Sequence, residues 1–261
     1  MPAVVRQDVV PKNQSSFARR IASEFVSTAF LLAAIVGSGI MGERLSGGNV
    51  AIALLSNTIA TGAALVALIL TFGPISGAHM NPVVTLAEAL RTRRDEDGLS
   101  WSLTVSYIAA QLTGAIAGVA AANVMFGVPV LIASRHARSG SSQMFSEFIA
   151  TFGLLGVIHC CAKSRPAIVP FAVGAYITSA YWFTASTSFA NPAVTLARSL
   201  TNTFAGIRPA DTPWFIVAQF AGATASLFFF NWLTSTGPSQ PTKVKFIYET
   251  NPDTLHGQFR A

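Results

Sequence analysis

The sequence predicts an all-α membrane protein with six transmembrane helices and two short half-helices, arranged as an inverted internal repeat. Composition is the first observation behind this prediction. Of the 261 residues, 51% are hydrophobic and only 11% are charged, whereas a soluble domain carries about 25% charged residues. Most of the surface must therefore face lipid. The net charge of +6 is spread between apolar runs, which argues against a nucleic-acid partner.

The lengths of the apolar runs are the second observation. A bilayer core about 30 Å thick needs roughly 20 apolar residues in helical form. Both ends of the chain are polar, and the first end does not have the pattern of a cleavable signal. We therefore predict a polar tail over 1–19, a membrane domain over 20–235 and a second polar tail over 236–261. The predicted spans are 20–41, 50–72, 100–123, 144–163, 166–185 and 213–235.

Two further apolar segments, about 81–92 and 191–201, are too short to span. They read NPVVTLAEAL and NPAVTLARSL, and seven of these ten positions are identical. Asn is a good N-cap, and Pro is favoured in the first turn of a helix. Each segment is therefore predicted to be a half-helix buried in protein or lining a cavity. The predicted half-helix starts are Asn81, Pro82 and Val83 in the first segment and Asn191, Pro192 and Ala193 in the second.

The rest of the chain repeats as well, which is the third observation. SEFVST in the first span matches SEFIAT in the fourth, and YIAAQLTG in the third matches FIVAQFAG in the sixth. Each half, about 20–126 and 144–235, holds three spans and one half-helix. Because three is odd, the second half crosses in the opposite direction. Broken helices at matching positions of an inverted repeat indicate the binding pathway.

The distribution of Lys and Arg predicts the orientation. If the N terminus lies inside, twelve of these residues fall on the inner side and five on the outer side. Cytoplasmic loops carry the excess of positive charge. We therefore expect a multi-pass protein of the inner membrane with both termini in the cytoplasm.

The two Asn-Pro starts predict a passive pore. A helix N terminus carries about half a positive charge, so two such ends facing one pathway repel cations and protons. The amides of Asn81 and Asn191 are expected to donate hydrogen bonds to an uncharged solute. No nucleophile with a base and no metal-ligand spacing is present, so neither an enzyme nor a cofactor is predicted. A secondary transporter remains an alternative, because such proteins also use inverted repeats.

These motifs resemble those of a known family. SGAHMNPVVT and SFANPAVT, together with the half-chain repeat, resemble the aquaporin (major intrinsic protein) family. The resemblance implies a right-handed bundle of six helices with two re-entrant half-helices, assembled as a homotetramer with one pore per subunit. FTASTSFANPAV is also similar to bacterial members associated with arsenical resistance.

The chain departs from the family pattern at the outer selectivity filter. The family reads Asn-Pro-Ala-Arg in its second half, whereas this chain has Val194 in place of the Arg. Arg198 lies four residues further on, and we interpret it as a paired or solvent-facing residue. In the first motif, Val83 replaces the Ala that is usual in the family, and we expect this change to narrow the pore modestly or not at all. The family spacing indicates Thr61, Ser188, Val194 and either Tyr181 or Ser179, of which Tyr181 is favoured, as the filter.

A filter without this Arg is expected to be wider and less strict. The predicted solutes are glycerol, urea and undissociated metalloid hydroxides such as arsenite, together with water. A water-selective channel is the alternative, and a purely structural junction role is expected only for a blocked pore.

Three titratable residues near the half-helices have two interpretations each. Glu24 and Glu147 occupy repeat-related places, where buried carboxylates need partners. They are predicted to support the loops before the half-helices, with proton coupling as the alternative. His79 is predicted to be a satisfied loop histidine, with a pH gate as the alternative.

Overall fold

The computed structural model describes residues 15–93 and 98–235. Within these ranges the chain forms six helices long and apolar enough to cross a membrane and two short ones, with no strand. The helices are α1 (Phe17–Leu45), α2 (Val50–Ser76), α3 (Pro82–Arg91), α4 (Trp101–Met125), α5 (Ser141–Ser164), α6 (Val169–Phe183, preceded by a 3-10 turn at Pro166–Ile168), α7 (Pro192–Arg198) and α8 (Thr212–Leu233).

The structure confirms the six predicted spans and the two half-helices, with differences at the ends. α1 begins at Phe17, so residues 17–19 are helical and do not belong to the predicted tail. α5 begins at Ser141, three residues before its predicted start at 144. Hydropathy detects only the apolar part of a helix, and its polar first turn is missed. Residues 1–14 and 236–261 of the predicted tails lie outside the described residues. So do six residues of the orientation count: Arg6, Lys12, Arg94, Lys243, Lys245 and Arg260.

The two halves pack in the same way. α1 lies against α4, and α5 lies against α8. Gly114 of α4 approaches α1 so closely that a Cβ there would overlap the carbonyl oxygen of Phe25, and Gly222 of α8 has the same relation to Phe148. Small residues at such crossings let helix backbones approach closely in a membrane.

The half-helices occupy the middle of the bundle. α3 packs on α4 and α8, α7 packs on the same two helices, and α3 and α7 contact each other. Large apolar side chains cover the outside instead, among them Phe30, Val105, Phe145 and Phe228. Apolar residues on the outside and two short helices inside are the arrangement expected for a lipid-embedded pathway.

Candidate functional site

The two half-helices meet at their N termini. The Asn81 Nδ2 donates to the Ala190 carbonyl oxygen at 2.8 Å, and the Asn191 Nδ2 donates to the Met80 carbonyl oxygen at 2.7 Å. Each Asn Oδ1 accepts from the first backbone N–H groups of its own half-helix. The two amides therefore cap their helices and fasten the two halves together. One N–H of each amide is used in this crossed pair, which leaves one N–H of each for a solute.

A carboxylate supports the loop before α3. Glu24 of α1 accepts hydrogen bonds from the Ser76 hydroxyl at 2.7 Å and from the backbone N–H groups of His79 at 2.9 Å and Met80 at 2.8 Å. The Gln111 amide of α4 donates to it at 2.7 Å. Glu24 is fully buried. Four donors compensate for the loss of solvent around this carboxylate.

The loop before α7 is supported in the same way. Glu147 of α5 accepts from the Ser186 hydroxyl at 2.6 Å and from the backbone N–H groups of Phe189 and Ala190, both at 2.8 Å. The Gln219 amide of α8 completes the set at 2.6 Å. These donors occupy the positions of the Glu24 partners in the other repeat. The geometry of both acids is that of loop supports.

The loops that these acids hold have a strained backbone. Ala78 and Met80 have φ angles of 48° and 50°, and Ser188 and Ala190 have φ angles of 51° and 47°. A non-glycine residue in the left-handed region costs on the order of 1–3 kcal/mol and persists only when its surroundings hold it there. The N–H groups of Met80 and Ala190 are bound to Glu24 and Glu147, so the carboxylates hold this conformation.

A cavity of about 560 Å³ runs past these loops, between the outer helices and the two half-helices. Asn81 and Asn191 lie in its middle, and its walls are otherwise largely apolar. We call its two ends the α3 end and the α7 end, after the half-helix that points toward each. Glu88, Arg91, His159 and Lys163 line the α3 end, and Thr61, Tyr181, Ser188, Val194 and Arg198 line the α7 end.

Four predicted filter residues come together at the α7 end. The Tyr181 hydroxyl donates to the Thr61 hydroxyl at 3.3 Å. Ser188 and Val194 are each 3% exposed and line the same end. Ser179 is exposed and donates to the Tyr176 carbonyl oxygen, away from the cavity. The Ser179 alternative is therefore corrected, because a shift of two positions turns a helical side chain by about 200°.

Arg198 departs most from its sequence interpretation, because it is not solvent-facing and forms no ion pair with an acid in the described part of the chain. It is 2% exposed, and its Nε donates to the Ala205 carbonyl oxygen. Its guanidinium carbon lies 3.4 Å from the centre of the Phe189 ring. The interpretation of Arg198 as a paired or solvent-facing residue is therefore wrong. Arg198 is the last residue of α7. Because the loop after α7 packs around it, its guanidinium group lies at the cavity wall.

His79 lies in the loop before α3 and lines the cavity. Its Nδ1 is 3.1 Å from the Thr85 hydroxyl, and its ring meets the edge of Tyr107 at 5.6 Å and 75°. Val83 is 1% exposed and packs with Leu155 and Ala223 in a separate apolar cluster. It does not line the cavity, so it does not narrow it.

Sequence reasoning missed Phe189 and the role of the strained loops. Superposing the two repeats by sequence supplies a signal for both. In this alignment Phe189 corresponds to His79, and Arg198 corresponds to Glu88. All four residues line the cavity. Differences between two otherwise matching repeats therefore mark the residues that give each end its own chemistry.

Comparison with known proteins identifies the family. The model of the family described as Major intrinsic protein matches residues 12–184. This chain belongs to the major intrinsic protein family. As a member, it is a membrane channel and not an enzyme, and its six spans make it a multi-pass membrane protein.

The relatives of this major intrinsic protein include bacterial and plant channels. It is 49% identical over 239 residues to the aquaglyceroporin AqpS of Rhizobium meliloti (strain 1021), covering 90% of this chain and 96% of that protein. It is 30% identical over 233 residues to aquaporin NIP1-4 of Oryza sativa subsp. japonica, covering 85% and 79%.

Solved structures support the fold. The X-ray structure of the aquaglyceroporin from Plasmodium falciparum superposes with a TM-score of 0.63 at 22% identity. The match covers 83% of this chain and 95% of that one. At this identity the likeness concerns the fold alone, which is the predicted aquaporin fold of six helices and two half-helices.

Proposed function

We propose that the cavity is the pathway of a passive channel for small uncharged solutes. The observation that carries the proposal is the crossed pair of Asn81 and Asn191 in the middle of a largely apolar cavity. An apolar wall with a few convergent polar groups is the usual form of a site for a small neutral molecule. Among the residues that the structure describes, no carboxylate faces this middle section, because Glu24 and Glu147 are enclosed by their own donors.

A solute would meet a short series of hydrogen-bonding groups. Ser188 lines the α7 end, and its enclosed hydroxyl, which has no partner among the described residues, would reach a solute by rotation of the side chain. The Thr61 hydroxyl accepts from Tyr181 and keeps its own proton to donate. The remaining N–H groups of Asn81 and Asn191 follow. A solute that carries hydroxyl groups can exchange water for these groups one at a time, which keeps binding weak enough for flow.

The composition of the α7 end favours solutes larger than water. Val194 contributes an apolar side chain at the level where the family has Arg, and Thr61 is smaller than the usual aromatic residue. The relative at 49% identity is named an aquaglyceroporin. We propose glycerol, urea and undissociated metalloid hydroxides such as arsenite as solutes, with water. A water-selective channel is the second candidate, because the large Tyr181 ring lies in the same wall.

The wider organisation is proposed on the same basis. Residues 20–235 would form the channel domain, in repeats over about 20–126 and 144–235, between cytoplasmic tails at 1–19 and 236–261. Exposed apolar side chains along the helices suit contacts with lipid and with further copies in a homotetramer. The excess of Lys and Arg on the α3 side supports an inner-membrane protein with that side in the cytoplasm.

Vesicle swelling tests the proposal. Purified protein is reconstituted into liposomes, and volume changes are followed by light scattering in gradients of water alone, glycerol, urea and arsenite at neutral pH. Protein-free liposomes are the control, and Val194→Arg is measured alongside. We expect glycerol or arsenite flux in the wild type and restricted flux in the variant. Conduction of water alone by both proteins would favour the water-selective candidate.

The same liposomes test the transporter alternative. Solute flux through a passive channel follows the solute gradient and does not change when an ionophore collapses the proton gradient. Dependence of the flux on that gradient would indicate a secondary transporter.

A further inference from the structure

Arg198 carries an inference beyond the proposed solute pathway. The two half-helices are copies, and the seventh residue after each Asn is Glu88 in α3 and Arg198 in α7. Both side chains line the cavity, at opposite ends. Glu88 pairs with Arg91 at 2.7 Å, in a salt bridge of which both side chains are partly exposed. Arg198 is almost fully buried, so a charge there has a much larger cost and needs an explanation.

No acid among the described residues forms an ion pair with Arg198. Within residues 15–93 and 98–235, the ion pairs are Arg91 with Glu88 and Arg208 with Asp211. The only hydrogen bond of the Arg198 guanidinium to these residues runs from Nε to the Ala205 carbonyl oxygen. Its Nη atoms have no protein acceptor in this part of the chain and are not among its fully enclosed unsatisfied atoms. They therefore border the cavity, where a solute or water can accept from them.

Two neighbours fix the position of this cation. The Phe189 ring contacts two guanidinium groups, with that of Arg198 at 3.4 Å and that of Arg138 at 5.1 Å from its centre. Arg138 in turn donates to the Gly206 carbonyl oxygen at 2.9 Å. A guanidinium on an aromatic face is attracted electrostatically by the ring. These contacts hold the guanidinium group of Arg198 at the cavity wall.

A second observation at the same end also indicates a ligand. The Ser188 hydroxyl oxygen is buried, lines the cavity and has no hydrogen-bond partner among the described residues. Buried polar atoms in native proteins nearly always have a partner. Arg198 offers donors to this space, and the enclosed hydroxyl of Ser188, which lines the same end, lacks a partner among the described residues.

We propose that Arg198 is the residue that excludes cations and donates to solutes at the α7 end. It replaces, one helical turn further along α7, the charge that Val194 does not supply. The pathway would then be wide at Val194, and the positive charge of Arg198, one turn further along α7, would repel cations and protons. Phe189 and Arg138 act as positioning residues. The inference rests on the proposed channel function and adds the residue that makes it selective for uncharged solutes.

The test compares charge exclusion with neutral-solute flux. Liposomes containing wild type, Arg198→Met or Arg198→Lys carry a pH-sensitive dye, and proton and K⁺ leaks are measured beside glycerol and water flux. Arg135→Met is the matched control, because Arg135 is an exposed cation of the loop between α4 and α5 at the same end. The double variant Val194→Arg/Arg198→Met returns the charge to the earlier turn.

The expected result is a leak in one variant only. Removing one unit charge from the wall of a low-dielectric pathway should raise the cation or proton leak of Arg198→Met by about tenfold to a hundredfold. Glycerol or water flux should persist, which shows that the variant is folded. No increase in the proton or K⁺ leak is expected for three variants: Arg198→Lys, Arg135→Met and the double variant.

Other results overturn the inference. A sealed Arg198→Met channel that conducts neutral solutes shows that Arg198 does not exclude cations, and an equal leak in Arg135→Met shows a nonspecific charge effect. If Arg198→Met gives no channel, Arg198→Gln is measured instead and judged by the same criterion. A wild type that is sealed to cations but conducts only water contradicts the proposed solutes, while the leak test of Arg198 still applies.

Discussion

The two loops that lead into the half-helices have the same framework and different contents. Each is held by one buried glutamate, which accepts from a serine hydroxyl, two backbone N–H groups and a glutamine amide. The residue in the middle of the framework is His79 in one loop and Phe189 in the other. His79 meets the edge of Tyr107 at 5.6 Å, and Phe189 meets the edge of Phe215 at 5.2 Å.

This difference separates what the duplication preserves from what it leaves free to change. The framework keeps the strained backbone in place, so it has to be the same in both halves. The side chains that reach the cavity are not part of that requirement. One end therefore presents a titratable ring and a Glu–Arg pair, and the other presents an unpaired Arg on a phenyl ring.

The largest expected effect comes from breaking the framework. Glu24→Gln and Glu147→Gln each replace a carboxylate oxygen by an NH₂ group, which faces N–H donors that have lost their acceptor. Leaving buried donors unpaired costs about 1–3 kcal/mol each, so we expect losses of about 2–5 kcal/mol and little or no solute flux. Thermal unfolding in detergent and liposome swelling measure the two effects.

The two variants also test the equivalence of the halves. The shared hydrogen-bond pattern predicts similar losses for Glu24→Gln and Glu147→Gln. Glu43→Gln is the control, because Glu43 is exposed at the end of α1. Normal stability and flux in either framework variant would contradict the role of that glutamate as a loop support.

The helix crossings provide a second, smaller test of the same symmetry. Gly114→Ala and Gly222→Ala each drive a methyl group into a backbone carbonyl oxygen of the neighbouring helix. Overpacking of this kind costs about 1–3 kcal/mol, seen as a lower unfolding temperature. Gly73→Ala is the matched control, since the nearest atom to its added Cβ is 4.0 Å away. Equal stability of all three variants would show that the crossings can relax.

Replacing His79 by the residue found at the matching position of the second loop, Phe189, is a third test of the comparison. His79→Phe makes the first loop resemble the second and removes the contact with the Thr85 hydroxyl, at a cost of about 1 kcal/mol. The Thr85 hydroxyl still accepts a hydrogen bond from the Gln111 amide at 2.8 Å. The hydrogen bonds around Glu24 should therefore be retained. We expect wild type and variant to have the same flux profile between about pH 5 and 8. A pH dependence that disappears in the variant would identify His79 as a gate.

Much of the fold followed from the sequence because its signals are local and repeated. The apolar lengths gave the six spans, and Asn81 with Pro82 and Asn191 with Pro192 carry the cap and first-turn chemistry that starts a half-helix. The loops as partners of Glu24 and Glu147 followed from the rule that buried carboxylates need donors, whereas their glutamine donors were not predicted. The helix ends did not follow, because the polar first turn of α5 at Ser141 has no hydropathy signal.

The α7 end of the site was less accessible to sequence reasoning. Counting along the chain left Ser179 and Tyr181 open, because the choice depends on the helical rotation of α6 relative to the loop after it. Arg198 was misjudged because a charged residue after an apolar half-helix usually faces solvent. Its burial depends on Phe189 and Ala205, whose approach is a property of the packed loops and not of the local sequence.

The smallest expected effect concerns Glu88, the repeat counterpart of Arg198. Its salt bridge to Arg91 is an i,i+3 pair in which the side chains are 35% and 44% exposed. Solvent screens such a pair, which contributes roughly 0.3–0.5 kcal/mol. Glu88→Gln should therefore shift the unfolding temperature slightly, keep glycerol flux within about twofold and leave the cation seal intact. A cation leak as large as that expected for Arg198→Met would show that both ends control charge, and the asymmetry drawn between the two half-helices would be wrong.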